Sequence, residues 1–327
     1  MRISVFPKGD LDALCVDRTM TIFDWIDKAR TLPVEGLELY SGMFTSTDDA
    51  YVDRVASSLH DAGFEMPMLC ASPDFTHPDP GVRQAELDRE ITMMMITARL
   101  GGRGACTRVL SGQRHPGVAV DQGVEWSVAA IEQLLPVARE LGITLGMENH
   151  YKDGFWAFPE FAQRPEVYAM IIDAISDRCH FGVQYDPSNA TMAGVDPAEF
   201  LDRYVDRVVT MQASDRSLAP GTSLVDLRRG DGTIGYSAAL QHGVIGQGLN
   251  DYQRIFTTLS DAGYDGWISI EDGVTGMADL AASVEFLRGA REEFFGGSTA
   301  VRVATQEAAL EAAGLPSIAR PNLEEKR

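Results

Sequence analysis

Four stretches of this sequence end a short apolar run in side chains able to bind a cation or move a proton. They are TLGMENH, which closes on Glu148, Asn149 and His150; HFGVQYDPSN, with Asp186 and Asn189; RVVTMQASD, with Gln212 and Asp215; and GWISIED, with Glu271 and Asp272. A carboxylate at the end of an apolar strand is costly to bury alone, so several that converge need a cation or shared protons. Mostly oxygen donors suit Mg²⁺ or Mn²⁺, whereas an imidazole would bring Zn²⁺, Co²⁺ or Ni²⁺ into contention. Taken singly, each acid reads as an ordinary solvent-facing strand end; their recurrence on consecutive strands is what points to a metal. His150 lies two residues beyond Glu148, on the same side of a strand. It is a candidate base or, equally, a hydrogen-bonding group that orients a ligand carboxylate. Asn189, Arg216 and Lys152 are placed to bind substrate oxygens, and Lys152 reads equally as a solvated loop charge. His77, in the loop SPDFTHPDP, is expected to line the same pocket, with a structural turn histidine as the alternative.

The elements that must position these residues repeat along the whole chain. Short β-branched or apolar runs alternate with amphipathic helical stretches, from RISVF and TIFDWIDKAR to GWISIED and MADLAASVEFLRGAREEF, making eight strand and helix pairs. Strands this apolar, alternating with helices, need parallel pairing with both faces covered. Eight such units closing on themselves predict a single α/β (β/α)₈ barrel, a TIM barrel, over residues 1–297, with chemistry at the carboxyl ends of its strands. A doubly wound sheet is the alternative, but no glycine fingerprint follows the first strand. Gly63, Gly142 and Gly263 each fall just before a strand and are predicted as left-handed helix C-caps. Two segments break the rhythm. A long Gly-rich connection after the seventh strand, residues 216–250, is a candidate active-site cover or partner surface, and residues 298–327 form a C-terminal extension of alanine-rich helix and polar end.

Composition excludes several function classes. The 327 residues are 45% apolar and 23% charged, ordinary globular usage, and no run approaches the roughly 18 apolar residues of a spanning helix. MRISVFPKGD enters a strand directly, without signal-peptide features, so a cytoplasmic location is expected and no membrane. Twenty-eight basic residues against 48 acidic ones give a formal net charge of −20, which repels a phosphate backbone and excludes nucleic acid as a partner. Cys15, Cys70, Cys106 and Cys179 are far apart, form no CxxC pair, and read as small buried apolar residues.

LGMENH, VQYDPSN, TMQASDR and above all IGQGLNDYQRIFTTLSDAGYDGWISIED resemble the xylose isomerase-like TIM barrels, the sugar phosphate isomerase/epimerase family. The resemblance covers nearly the whole barrel. In the keto-sugar 3-epimerases of that family the metal is held by Glu, Asp, His and Glu at the ends of the last four strands, which here fall on Glu148, Asp186, Gln212 and Glu271. Gln212 departs from the pattern, and an amide oxygen in place of an imidazole favours Mn²⁺ or Mg²⁺ over zinc. The resemblance implies deprotonation next to the carbonyl of a keto-sugar, with one divalent ion polarising the carbonyl and Glu148 and Glu271 as paired acids, His150 being an additional base. ENHYKDGFW and the glutamine further resemble the α subunits of bacterial C-glycoside deglycosidases, lyases that cleave the C–C bond of 3-oxo-C-glucosides beside a small β subunit. On that branch Phe155, Trp156 and Phe158 would stack on a flat aglycone; loop packing is their alternative use. A keto-sugar or sugar phosphate epimerase or isomerase is the second reading, and a non-catalytic sugar-binding barrel the reading of another class. A zinc endonuclease of the same superfamily needs a histidine cluster and a basic surface, which six scattered histidines and the acidic balance do not provide. An oligomeric assembly is expected.

Overall fold

The computed structural model describes residues 1–229 and 239–296. Eight parallel strands form the predicted barrel: β1 Arg2–Val5, β2 Gly36–Leu37 continuing as Leu39–Tyr40, β3 Met68–Cys70, β4 Cys106–Val109, β5 Thr144–Glu148, β6 Phe181–Tyr185, β7 Val208–Ala213 and β8 Trp267–Ile270. Each neighbours the next in sequence order, and β8 returns to β1, with Arg2 opposite Trp267 and Val5 opposite Ile270. The ring closes through β2, whose first half pairs with β1 and whose second half pairs with β3, the switch falling at Glu38.

A helix follows each strand: α1 Ile22–Ala29, α2 Asp49–Ala62, α3 Pro80–Gly101, α4 Val120–Leu141, α5 Pro165–Ala174, α6 Pro197–Tyr204, α7 Tyr252–Asp261 and α8 Met277–Phe294. Their apolar faces pack on the outside of the barrel in one continuous core that includes Trp25, Ile131, Tyr168, Phe256 and Leu287. The three predicted capping glycines have left-handed φ of 77°, 70° and 75°, which turn each chain back toward the next strand. No helix among the described residues is long and apolar enough to cross a membrane.

The connection after β7 is structured where it is described. Arg216–Leu218 pairs antiparallel with Leu240–His242, and a short helix, Leu224–Arg229, lies between them. Ala239 and Leu240 pack with Tyr151 and Met192, so this hairpin is anchored over the carboxyl ends of β5 and β6. Residues 230–238 of the connection, and the predicted extension at 298–327, lie outside the described residues.

Candidate metal centre and cavity

The polar side chains at the strand ends separate into two sets by the job each does. Asn149, Asp215 and Asp272 knit the ends together. Asn149 Nδ2 donates to the Asp186 carbonyl at 2.6 Å, and the Asp186 N–H donates back to Asn149 Oδ1 at 2.8 Å. Asp272 accepts the Asp215 N–H at 2.6 Å. Asp215 in turn accepts the N–H groups of Gly246 and Gly248, both at 2.9 Å, so the GQG motif wraps its carboxylate.

Glu148, Asp186 and Glu271 form the second set. One carboxylate oxygen from each lies within 4.8 Å of the others, and all three are buried. Asn189, opening the short helix after β6, holds two of them: its Nδ2 donates to Glu148 Oε1 at 2.8 Å and its N–H to Asp186 Oδ1 at 2.9 Å. Ser214 also donates to Asp186 Oδ1 at 2.8 Å. Two cations face the cluster. Arg108 of β4 donates to Glu148 Oε2 at 2.8 Å, and Lys8, just past β1, to Glu271 Oε1 at 2.7 Å. Among the described residues no hydrogen bond engages Oδ2 of Asp186 or Oε2 of Glu271.

Burial dominates the electrostatics. It pushes Glu148 well above the usual carboxylate range against the pull of Arg108, and pushes Asp186 up to about 7, with the Glu271 charge adding to it. For Glu271 burial works the same way, but Lys8, Arg108 and Arg216 together outweigh it and hold the acid below its ordinary value. The donors are all oxygens, and two of them, Oδ2 of Asp186 and Oε2 of Glu271, accept no hydrogen bond among the described residues; a hard divalent cation fits this set. Gln212 adds a buried amide oxygen with no hydrogen-bond partner among the described residues. Its amide nitrogen donates to Glu38 of β2 and lies 3.6 Å from Cys70 Sγ.

Beside the cluster lies a cavity of about 410 Å³, lined by Glu271, His150, Lys152, Lys8, Arg108, Tyr40, Asp153, Phe155 and His242 among others. His150 Nδ1 faces Glu160 Oε2 at 3.4 Å, and burial holds the imidazole well below its ordinary value and therefore neutral. Phe155, 56% exposed, stands at this cavity parallel to Tyr40, with ring centroids 6.2 Å apart and planes 8° apart. Trp156 instead sets its ring edge-to-face with His150, and Phe158 packs on His115. His77 also packs on His115, and it is not among the residues lining this cavity. Arg216 is buried in the hairpin. Cys70 and Cys106 are buried as expected, but Cys15 is half-buried and Cys179 exposed.

Four residues absent from the strand-end inventory matter here. Arg108 was visible as a charge inside the apolar run ACTRVLSG, Glu38 as one inside GLELY, and Lys8 follows the first strand directly. His242 carried no such signal, lying in the Gly-rich connection. The hairpin brings it to the cavity, where its Nδ1 meets Asp272 Oδ1 at 2.9 Å.

Comparison with known proteins agrees with this architecture. The chain is 24% identical over 152 residues to an inosose dehydratase of Lacticaseibacillus casei, covering 45% of this chain and 47% of that protein. It therefore spans about half the length of this curated relative. Among solved structures it resembles a D-tagatose 3-epimerase-like protein, with a TM-score of 0.69 and 17% identity over 90% of this chain and 99% of the other. It also resembles 3-keto-D-glucoside 4-epimerase from E. coli, with a TM-score of 0.60 and 13% identity over 89% and 99%. The model of the xylose isomerase-like TIM barrel matches residues 26–290, from α1 through α8, so the chain belongs to that family.

Proposed function

We propose that this chain is a divalent-metal-dependent enzyme that removes a proton next to the carbonyl of a keto-sugar. The observation that carries the proposal is the buried Glu148, Asp186 and Glu271 cluster, whose last member also lines the cavity. When bound, a divalent ion supplies polarisation of the substrate carbonyl, with Mn²⁺ or Mg²⁺ preferred for an oxygen donor set. The chain's own groups do the rest. Glu148, Asp186 and Glu271 would hold the ion, Arg108 and Lys8 hold two of those carboxylates in place, and Lys152 offers a cation to substrate oxygens at the cavity. His150 reaches the cavity as an uncharged ring and is the group we assign to take the proton from carbon, Glu271 being the alternative base.

The finer reading is cleavage of 3-oxo-C-glucosides, as by a C-glycoside deglycosidase α subunit. The proton at C2 goes to the base, the electron pair forms a C1=C2 bond, and the C1–aryl bond breaks with its pair on the aryl carbon, which takes a proton. Phe155 beside Tyr40 favours this reading, because an exposed ring at a cavity mouth gives a flat aglycone a surface to stack on. A small β subunit would then sit near the hairpin. Epimerisation of a keto-sugar is the second reading, favoured by the likeness to the two epimerase folds and needing only return of the proton to the opposite face.

Both are tested by incubating the purified chain and Mn²⁺ with a panel of ketohexoses and 3-oxo-C-glucosides in D₂O. Deuterium is expected at the carbon next to the carbonyl, with aglycone release from the glucosides, and both should stop on chelation. His150→Gln should keep stoichiometric metal while exchange and turnover fall about 10²- to 10⁴-fold. Exchange that survives chelator, or a His150→Gln protein that recovers its rate with excess Mn²⁺, would remove the metal or the base respectively.

A further inference from the structure

Glu38 is a fully buried carboxylate inside the barrel, on a strand that contributes nothing to the acid cluster. Its Oε1 accepts the Cys70 thiol at 2.9 Å and also the Gln212 amide nitrogen. An ionised carboxylate only accepts hydrogen bonds, so Glu38 faces the N–H₂ end of the amide and not its carbonyl, which orients Gln212. The amide oxygen is thereby turned away from Glu38, and it is buried with no donor to meet it among the described residues.

The strand register says which acid stands beside Gln212. Met211 pairs with Tyr185, so the residues that follow, Gln212 and Asp186, stand side by side on adjacent strands. A buried acceptor left unsatisfied is costly, and a cation held by the neighbouring acids would relieve that cost. The arrangement matches the way a carboxylate turns a metal-bound histidine, one end of the ring held by the acid and the other on the ion. Here an amide stands in for the imidazole.

We propose that Glu38 is a positioning residue that turns Gln212 so that its amide oxygen becomes the fourth ligand of the centre formed by Glu148, Asp186 and Glu271. The inference rests on the metal-dependent reading above, and Mn²⁺ alone is the probe that tests it, by calorimetry and by loss of the free-ion electron paramagnetic resonance signal. The wild-type chain is expected to take up one ion. Glu38→Met, which keeps length but removes the acceptor, should bind it about 10- to 100-fold more weakly, while Glu38→Gln, whose carbonyl still accepts from Gln212, should stay close to wild type. Gln212→Leu should lose as much as Glu38→Met, and the double variant should bind no more weakly than Gln212→Leu alone, because the two residues act through one bond. A purely structural Glu38 would lower thermal stability without this rescue and without this non-additivity. If Glu38→Met does not fold, Glu38→Asp withdraws the carboxylate by one methylene and should show the same loss. Wild-type affinity in the Glu38→Met or Glu38→Asp protein, or a Glu38→Gln protein as weak as Glu38→Met, overturns the inference while leaving the metal reading intact. No Mn²⁺ uptake by the wild-type chain overturns both.

Discussion

A histidine held neutral beside a carboxylate leaves a trace in how stability depends on pH. Burial, aided by Arg216 and Lys8, pushes His242 down from 6.5 to about 3, although Nδ1 faces Asp272. Below pH 6.5 the unfolded chain binds a proton that the folded chain refuses, so the stability tied to this ring is complete above that pH and lost as pH falls toward 3. Each pH unit in that window is worth about 1.4 kcal/mol. Removing the ring by His242→Asn should therefore flatten the curve, and the stability difference between wild type and variant, measured by urea unfolding, should shrink by about 2 kcal/mol from pH 7 to pH 5. Parallel curves would mean that His242 is not shielded in the folded protein. Asp272, pushed up by burial, slopes the other way, and it is present in both proteins.

Among the elements, the turn that carries Gly246 and Gly248 is the one whose sequence most nearly dictates its shape. A Cβ on Gly248 would stand 2.2 Å from Asp215 Oδ1, so only glycine lets the loop close around that carboxylate. Gly248→Ala should cost on the order of 1–3 kcal/mol through overpacking and should loosen the Arg216–Leu218 hairpin, seen as faster amide exchange at Leu249, whose N–H donates to Arg216. An unchanged melting temperature and exchange rate would show that the loop closes without the cradle. The same locality explains what the sequence reveals. Alternating strands and helices, helix-ending glycines and the polar residues that close the last four strands are set by residues within a few positions of one another, so the barrel and its acidic strand ends are legible in the sequence, while the family resemblance singles out Glu148, Asp186 and Glu271 among them. Their partners are not. Lys8 meets Glu271 across 263 positions and Gln212 meets Glu38 across 174, which closure of the barrel brings together, and Arg108 meets Glu148 across 40 through the pairing of β4 with β5. His242 was hidden for a further reason, since a glycine-rich connection has no periodicity from which a hairpin can be read.

For the molecule as a whole, the acidic balance and the proposed metal centre both attract divalent cations, and they predict different responses. A net charge of −20 spread over the surface draws Mn²⁺ weakly, and about 0.15 M salt, with a Debye length near 8 Å, screens most of that attraction. A cation enclosed by buried acids is screened far less and binds only the folded chain, so it stabilises by mass action, by about 2.7 kcal/mol at 100 times its dissociation constant. In a barrel of about 300 residues each kcal/mol moves the midpoint by about 1.5–2 °C, so saturating Mn²⁺ should raise the melting temperature of the chelator-treated chain by roughly 4–5 °C in physiological salt. Asp186→Asn removes one acid of the cluster and leaves the surface charge nearly unchanged, so it separates the two sources: its melting temperature should rise by much less at the same Mn²⁺ concentration. An equal rise in both proteins would assign the stabilisation to the acidic surface, and the three buried carboxylates would then be balanced by Arg108, Lys8, Arg216 and shared protons.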